Sequence, residues 1–233
     1  MTVRELKEKL LGEERHDLCS LEELVEILRS EEGCPWDREQ DHKSIRSELI
    51  EETYEVVEAI DTDNADLLKE ELGDVLFEVF FHVQIEKEKG TFTLDDVVGG
   101  VVDKMIYRHP HVFGEIKVSG TGEVLDNWEA LKTKEKSRLT LREQLEAVPK
   151  QYPALLRAQK IAKKAAKGGF DFGEEAAQTG RIEELAHEIA AADGEEREAL
   201  LTELIWRVVI LAGPDADLEK DLGDCLNGFV GRF

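Results

Sequence analysis

Two stretches of the chain carry apolar residues at helical spacing, and a short polar segment separates them. The apolar positions of the first stretch are Ile45, Leu49, Ile50, Val56, Val57 and Ile60, and those of the second are Leu68, Leu72, Val75, Val79 and Val83. Residues that recur every three or four positions line one face of an α-helix. The polar segment DTDNAD, residues 61–66, is rich in turn formers and too short for a long connection. The pattern therefore predicts an antiparallel helix hairpin over about residues 44–89.

Five acidic residues fall into two clusters inside this predicted hairpin. The first helix carries Glu51, Glu52 and Glu55, and the second carries Glu71 and Asp74. In an antiparallel hairpin the numbers of facing residues have a constant sum, so we expect Glu52 opposite Asp74 and Glu55 opposite Glu71. Within each helix, a spacing of three residues stacks two carboxylates on one side, about 4.5 Å apart along the axis. Four carboxylates are therefore expected to converge.

Converging carboxylates predict a metal site, and the alternative is a solvated acidic helix face. Like charges this close repel by about 1 kcal/mol per pair in water and by more in a partly dry crevice. All four would not stay ionised without cations. An all-oxygen ligand set suits Mg²⁺, with Mn²⁺ as a substitute, whereas zinc prefers Cys and His. Two mirrored clusters, each beside an apolar flank, favour the metal site.

Capping and breaking residues predict the elements before the hairpin. Ser20 and Glu23 form a capping box that would start a helix over LEELVEILR. Gly33, Pro35 and Asp37 then predict a loop, because they interrupt any continuous helix.

Similar signals follow the hairpin, which is expected to end at Gly90. Thr93 and Asp96 predict the start of another helix, which should end before Pro110. An irregular segment with room for one short extended stretch comes next, and EVLDNWEALKTKEK is again helical in pattern. Residues 137–151 are predicted to be a linker.

The second half of the chain is an altered copy of the first, offset by 132 residues. With this offset, Glu51, Glu52 and Glu71 correspond to Glu183, Glu184 and Glu203. The hairpin spacing is kept, which indicates a duplication. Glu55 corresponds to His187, however, and Asp74 corresponds to Trp206. The second copy has therefore lost two of the four carboxylates.

Composition and charge narrow the functional classes. The 233 residues are long enough for one large or two small domains, and 41% hydrophobic with 36% charged residues is typical of a folded, helix-rich protein. The net charge of −23 argues against binding to duplex DNA or RNA and to anionic membranes, where a basic surface supplies affinity. Three cysteines without a CxxC pair and no apparent signal peptide predict a reduced, cytoplasmic enzyme.

The motifs EETYE and ELGD resemble those of the MazG family of nucleoside triphosphate pyrophosphohydrolases, whose signature is EExxE followed one helix later by ExxD. Further stretches that resemble this family are GCPWD with Gln40, DKMIYRHPHVFG, NWEALK and LLRAQKIAKKAAKGGFDF. The resemblance implies an all-α fold with a helical hairpin and four-helix-bundle architecture, arranged as a tandem repeat. It also implies Mg²⁺-dependent cleavage of a nucleoside triphosphate between its α and β phosphates, and a homodimer or higher homo-oligomer formed through packed hairpins.

The resemblance assigns roles to individual residues. It makes Glu52, Glu55, Glu71 and Asp74 the metal ligands, and it includes Glu52 and Glu55 in the catalytic set. Glu51 lies one helical step away and is expected to support the ligands or to take a proton from the attacking water.

Three residues are expected to hold the substrate. Lys104 and Arg108 are four positions apart on one helix face, so that both can reach one polyphosphate; a surface salt bridge is the alternative. Trp128 in NWEALK matches a family position where the indole would stack on the base, and a core position is the alternative.

The resemblance also implies a domain organisation. Residues 1–136 would be the catalytic MazG-like domain and residues 152–233 the degenerate copy. In the second copy, His187 and Trp206 replace two carboxylates, and Gly228 stands where the family often has a basic residue. This copy is therefore expected to pack, to dimerise or to bind a ligand without hydrolysis.

Three other readings stay open. A pyrophosphohydrolase specific for dUTP or phosphoribosyl-ATP would share the carboxylate hairpin. A di-iron carboxylate bundle needs two ExxH motifs, which 39–42 and 184–187 match only formally. A non-catalytic nucleotide- or protein-binding regulator would use both copies as helical interaction surfaces.

Overall fold

The predicted all-α fold is confirmed. A computed structural model describes residues 1–136 and 140–233, leaving out the side chains of residues 126, 129, 130 and 132–136. The described residues form thirteen helices and no strand. In chain order the helices are α1 (Val3–Gly12), α2 (Leu18–Arg29), α3 (Pro35–Glu39), α4 (Arg46–Asp61), α5 (Ala65–Lys89), α6 (Leu94–Arg108), α7 (Pro110–Phe113), α8 (Thr121–Lys136), α9 (Leu141–Glu146), α10 (Ala154–Lys167), α11 (Glu175–Ala191), α12 (Gly194–Ala212) and α13 (Leu218–Val230).

The chain separates into two compact units, residues 1–128 and residues 129–233. The predicted linker over 137–151 includes α9, and residues 137–139 lie outside the described part of the chain. The predicted domain boundaries at 136 and 152 stay a prediction.

In the first unit, α4 and α5 form the expected hairpin. The side chain of Asn64 caps α5 by accepting a hydrogen bond from the backbone N–H of Leu67 at 3.1 Å. Gly90 ends the helix at φ 70°, a left-handed conformation that glycine adopts without strain from a Cβ atom. Local sequence therefore fixes where α5 begins and where it ends.

The core of the first unit lies between α2 and α5. Its buried members are Val25, Ile45, Phe80, Phe81 and Ile85. The second half of α5 packs its apolar face into this core. The first half of α5 is left to pair with α4, and it carries the acidic residues. Burial of these side chains contributes about 1.5–3 kcal/mol each before the cost of ordering them.

Arg29 ties the segment before the hairpin to this core. Its side chain is 8% exposed, and its Nε and Nη2 donate to the two carboxylate oxygens of Glu88, both at 2.9 Å. The remaining Nη1 donates to the backbone carbonyls of Asp37 at 2.7 Å and Gln40 at 3.1 Å. One buried guanidinium therefore fixes where the chain enters α4 relative to α5.

A second polar link lies beside the start of α4. His42 Nδ1 is 2.8 Å from His82 Nδ1, and His42 Nε2 is 2.6 Å from Glu86 Oε1. Hydrogen bonds from Lys89, Thr91 and His42 lower the pKa of Glu86 to about 2. Glu86 therefore stays ionised and keeps the link in place over the neutral pH range.

The structure corrects three local predictions. The helix α2 begins at Leu18 with Asp17 as its N-cap, and Ser20 is the third helical residue, whose hydroxyl accepts from the Asp17 backbone N–H at 3.2 Å. The loop after α2 contains α3, which begins at Pro35, where a fixed φ suits the first turn. The segment after α6 contains α7, and no extended stretch is found there among the described residues.

The second unit repeats the hairpin with α11 and α12. The helix α10 packs against α12, α13 and α9. Leu185 of α11 and Val209 of α12 are fully buried between the elements of this unit.

Candidate metal and active site

The carboxylates of Glu52, Glu55 and Glu71 converge where α4 faces α5. One oxygen from each lies within 4.8 Å of the other two. Glu71 is buried, Glu52 is half-buried and Glu55 is exposed, so that the group opens to solvent on one side. The predicted pairing of Glu55 with Glu71 is therefore present.

Burial and mutual repulsion raise the pKa of two of these carboxyls. Burial, followed by the charge of Glu55, raises the pKa of Glu71 to about 6. Burial raises the pKa of Glu52 as well, and the charges of Glu55 and Asp74 add to this effect. Burial and repulsion therefore disfavour the ionised form of both carboxyls, and a nearby cation would favour it.

Asp74 and Glu51 lie at the edge of the cluster. Asp74 is exposed on α5, and its charge acts on Glu52, which is the partner predicted for it. Its oxygens are not part of the group within 4.8 Å. Glu51 is exposed on α4, next to Glu52 in sequence.

Glu78 is a further member of the acidic face that the sequence motifs did not reveal. It is 8% exposed, and its Oε2 is buried without a hydrogen-bond partner among the described residues. Burial, with the charges of Glu48, Glu52 and Asp74, raises the pKa of Glu78 to about 7. The residue numbers of Glu48 and Glu78 add up to the same sum as those of the other facing pairs. This regularity in the sequence could have identified Glu48 and Glu78 as a further facing pair.

The donor set fits a hard divalent cation. Three carboxylate oxygens on two helices are the ligands that Mg²⁺ and Mn²⁺ accept, and neither His nor Cys belongs to the group. A cation would also offset the repulsion that raises the pKa of Glu52 and Glu71. The residues present therefore fit such an ion, with room on the exposed side for water and substrate oxygens.

The predicted substrate-binding residues are only partly brought together. The guanidinium of Arg108 lies over the Trp128 ring, 5.6 Å from its centroid, and the His109 ring meets the same indole edge-on at 4.9 Å. Lys104 is exposed on α6, one turn before Arg108. Trp128 is half-buried, which leaves part of the ring open to a ligand.

The corresponding site in the second unit is neutralised by arginine. Arg181 Nε and Nη2 donate to the two oxygens of Glu203, both at 3.2 Å, and Arg181 Nη1 lies 3.3 Å from Glu184. Arg207 donates to Glu203 as well. These hydrogen bonds, chiefly the one from Arg181, lower the pKa of Glu203, so the arginines supply a counter-charge for this carboxylate.

Comparisons with known proteins agree with the sequence motifs. A model of the MazG nucleotide pyrophosphohydrolase domain matches residues 40–113, which include the whole α4–α5 hairpin. The nucleoside triphosphate pyrophosphohydrolase/pyrophosphatase MazG of Thermotoga maritima is 42% identical over 217 residues, covering 91% of this chain and 83% of that protein. The nucleoside triphosphate pyrophosphohydrolase of Escherichia coli K12 is 38% identical over 204 residues, covering 87% and 72%. The uncharacterized protein YabN of Bacillus subtilis is 46% identical over 159 residues, covering 67% of this chain and 31% of YabN.

Proposed function

The chain belongs to the MazG family of nucleoside triphosphate pyrophosphohydrolases, and we propose that it cleaves nucleoside triphosphates at the α4–α5 carboxylate cluster with bound Mg²⁺. The reaction is hydrolysis of the triphosphate to a nucleoside monophosphate and pyrophosphate. The observation that supports the location is the convergence of Glu52, Glu55 and Glu71 within 4.8 Å.

Glu52, Glu55, Glu71 and Asp74 would hold the ion. Bound there, Mg²⁺ supplies a Lewis acid that polarises the phosphate and lowers the pKa of a bound water; Mn²⁺ can substitute for it. Asp74 is exposed on α5, and its charge acts on Glu52.

The remaining residues of the proposed site act on the nucleotide and on the proton. Glu51 is the candidate base that takes the proton from the attacking water, because its exposed carboxylate lies beside the ligands. Lys104 and Arg108 offset the charge of the polyphosphate. Trp128 offers an indole face for the base.

Assembly and location are proposed on separate grounds. We propose a homodimer or higher homo-oligomer through the hairpins, because α4 and α5 expose apolar side chains. These side chains are Ile50, Tyr54, Val57, Leu72 and Leu76. The three free cysteines support a reducing, cytoplasmic location. No described helix is both long enough and apolar enough to cross a bilayer.

The deciding experiment is an incubation of the purified protein with Mg²⁺ and a panel of standard and altered nucleoside triphosphates. Pyrophosphate and monophosphate are the expected products, and EDTA and Glu55→Gln should each abolish them. Glu58→Gln is the matched control, because Glu58 is exposed on the same helix outside the cluster.

Three results would contradict the proposal. Orthophosphate as the first product would place the cleavage at another bond. Turnover that is unchanged in Glu55→Gln would place the chemistry elsewhere in the chain. A protein that turns over no triphosphate, yet still binds Mg²⁺, would support the reading as a binding protein.

A further inference from the structure

The second unit contains a cavity that the carboxylate hairpin does not explain. It has a volume of about 340 Å³ and lies between α10, α12 and the segment that precedes α10. Its basic and aromatic lining residues are Lys150, Tyr152, Arg157 and Trp206. Its volume falls in the range of about 300–1,000 Å³ that is usual for small-molecule sites.

The charge of this cavity is opposite to that of the chain. Lys150 and Arg157 line it, and no acidic side chain does so among the described residues, in a protein with a net charge of −23. Such a local excess of positive charge attracts anions.

Arg157 carries an unmet hydrogen-bonding capacity. Its Nε is buried without a hydrogen-bond partner in the described part of the chain. In the same unit, the guanidinium groups of Arg181 and Arg207 both donate to Glu203. A buried N–H of a charged group without a partner is costly, and an anion in the cavity would remove that cost.

The cavity also offers aromatic surface. Trp206 stands at the position that corresponds by number to Asp74, and it lines the cavity from α12. Its ring meets Phe172 edge-on at 6.2 Å, which fixes the indole from one side. Tyr152 lines the cavity as well, and Lys160 Nζ lies 5.6 Å from its ring centroid. An indole and a phenol beside two cations suit a ligand that has both a planar ring and phosphate groups.

We propose that the cavity between α10 and α12 binds a nucleoside phosphate without a divalent cation, with the phosphates on Lys150 and Arg157 and the base against Trp206. The choice of ligand class rests on the proposed function, because such a molecule is its substrate or product. No metal is needed, since the cations of the protein face the ligand directly and the carboxylates Glu184 and Glu203 are held by Arg181. The second copy is thereby a non-hydrolytic nucleotide site.

Calorimetric titration of the full chain with ATP in EDTA tests this proposal. We expect one saturable site per chain, whereas binding at the carboxylate cluster requires the ion. Arg157→Gln and Lys150→Gln should each weaken binding by about tenfold or more. Trp206→Phe should weaken it less and should remove any quenching of tryptophan fluorescence by the nucleotide.

The matched control is Arg142→Gln, because Arg142 is an exposed arginine of the same unit that pairs with Glu146. It should bind ATP in EDTA as the unchanged protein does, and so should Glu55→Gln. Circular dichroism of each variant checks that the fold is kept, and Lys150 is exposed, so its replacement leaves the core intact.

Three outcomes would overturn the proposal. The first is no saturable binding of ATP in EDTA. The second is equal binding by Arg157→Gln, Lys150→Gln and Arg142→Gln. The third is binding of inorganic pyrophosphate as tight as that of ATP, which would leave a simple anion site. A failure of Mg²⁺-dependent hydrolysis would instead affect only the proposed function, since this titration contains no free metal.

Discussion

Arg181 and Glu203 form a two-point ion pair across the second hairpin, with Nε to Oε1 and Nη2 to Oε2 both at 3.2 Å. In the first hairpin, Leu49 stands at the position that corresponds by number to Arg181, and Glu71 at the position of Glu203. The pKa of Glu203 is lowered by its arginine partners, whereas the pKa of Glu71 is raised to about 6. One hairpin therefore contains its own counter-charge, and the other leaves that place for a cation.

Exchange of each glutamate for glutamine should have opposite effects on stability in EDTA at pH 7.5. Glu71→Gln should raise the melting temperature, because it removes a carboxylate that is buried beside Glu52 and Glu55. Glu203→Gln should lower the melting temperature, because it breaks the partly exposed ion pairs with Arg181 and Arg207. Calorimetric melting of the two variants measures both changes. The same direction of change in both would contradict the contrast between the hairpins.

The contribution of Glu78 to the stability of the metal-free protein should fall as the pH rises from about 5 to 8. Glu78 has a pKa of about 7 in the folded chain against 4.5 as its ordinary value. A raised carboxyl pKa means that the folded state holds the proton more tightly, so this contribution is complete below 4.5 and is lost as the pH passes 7.

Urea unfolding in EDTA at pH 5 and pH 8 measures this effect, with Glu78→Gln as the partner variant. The difference in unfolding free energy between the two proteins should shift in favour of Glu78→Gln at pH 8. Titrations elsewhere in the chain cancel in that difference. Equal pH dependence in both proteins would mean that Glu78 titrates normally.

Much of the hairpin could be predicted from the sequence, because its signals are local. The helical period of the apolar residues, the turn residues and Gly90 define α4 and α5, and the constant sum of facing numbers places Glu55 against Glu71. The capping box of Thr93 and Asp96 is also present, with Thr93 Oγ1 to Asp96 Oδ2 at 2.7 Å. Each of these features depends on residues a few positions apart or on one register.

The features that were missed depend on contacts between distant residues or on competing caps. Asp17 accepts from two backbone N–H groups of α2 and so takes the N-cap position that Ser20 also suits. The pairing of Arg29 with Glu88 spans 59 positions and has no local pattern. Glu78 was missed because the family motif ends at Asp74, although the same register continues one turn further along α5.

Arg29→Met should destabilise the first unit by about 3 kcal/mol. The change removes four hydrogen bonds. Glu88 loses its charged partner and keeps the amide of Gln84 as a donor, and the carbonyl oxygens of Asp37 and Gln40 lose the guanidinium. Arg29→Lys should restore little, because an ammonium group cannot bridge two carboxylate oxygens and two carbonyls at once. Arg4→Met is the control, since Arg4 is exposed and pairs with the exposed Glu8 on the same helix. Thermal unfolding that is equal in Arg29→Met and Arg4→Met would disprove this role.

Asp74→Asn should lower kcat/KM for triphosphate hydrolysis by about 100-fold or more while the helix content stays unchanged. Replacement of groups that only support metal ligands costs about 10–100-fold, and a ligand should cost at least as much. The same change should reduce the rise in melting temperature that Mg²⁺ produces, which separates loss of the ion from loss of a later step. Full turnover in this variant would restrict the metal ligands to Glu52, Glu55 and Glu71.

Residues 1–136 should bind Mg²⁺ on their own, because the first unit has its own core around Val25 and Phe81 and contains every residue of the carboxylate cluster. Titration of this fragment with Mg²⁺ should raise its melting temperature as in the full chain, and Glu55→Gln should remove the effect. Metal-free ATP binding should be absent from the fragment, since Arg157 and Trp206 lie in the second unit. A fragment of residues 151–233 should not hydrolyse triphosphates, because Arg181 lies where a cation would have to bind. Hydrolysis by this fragment alone would reverse the roles of the two copies.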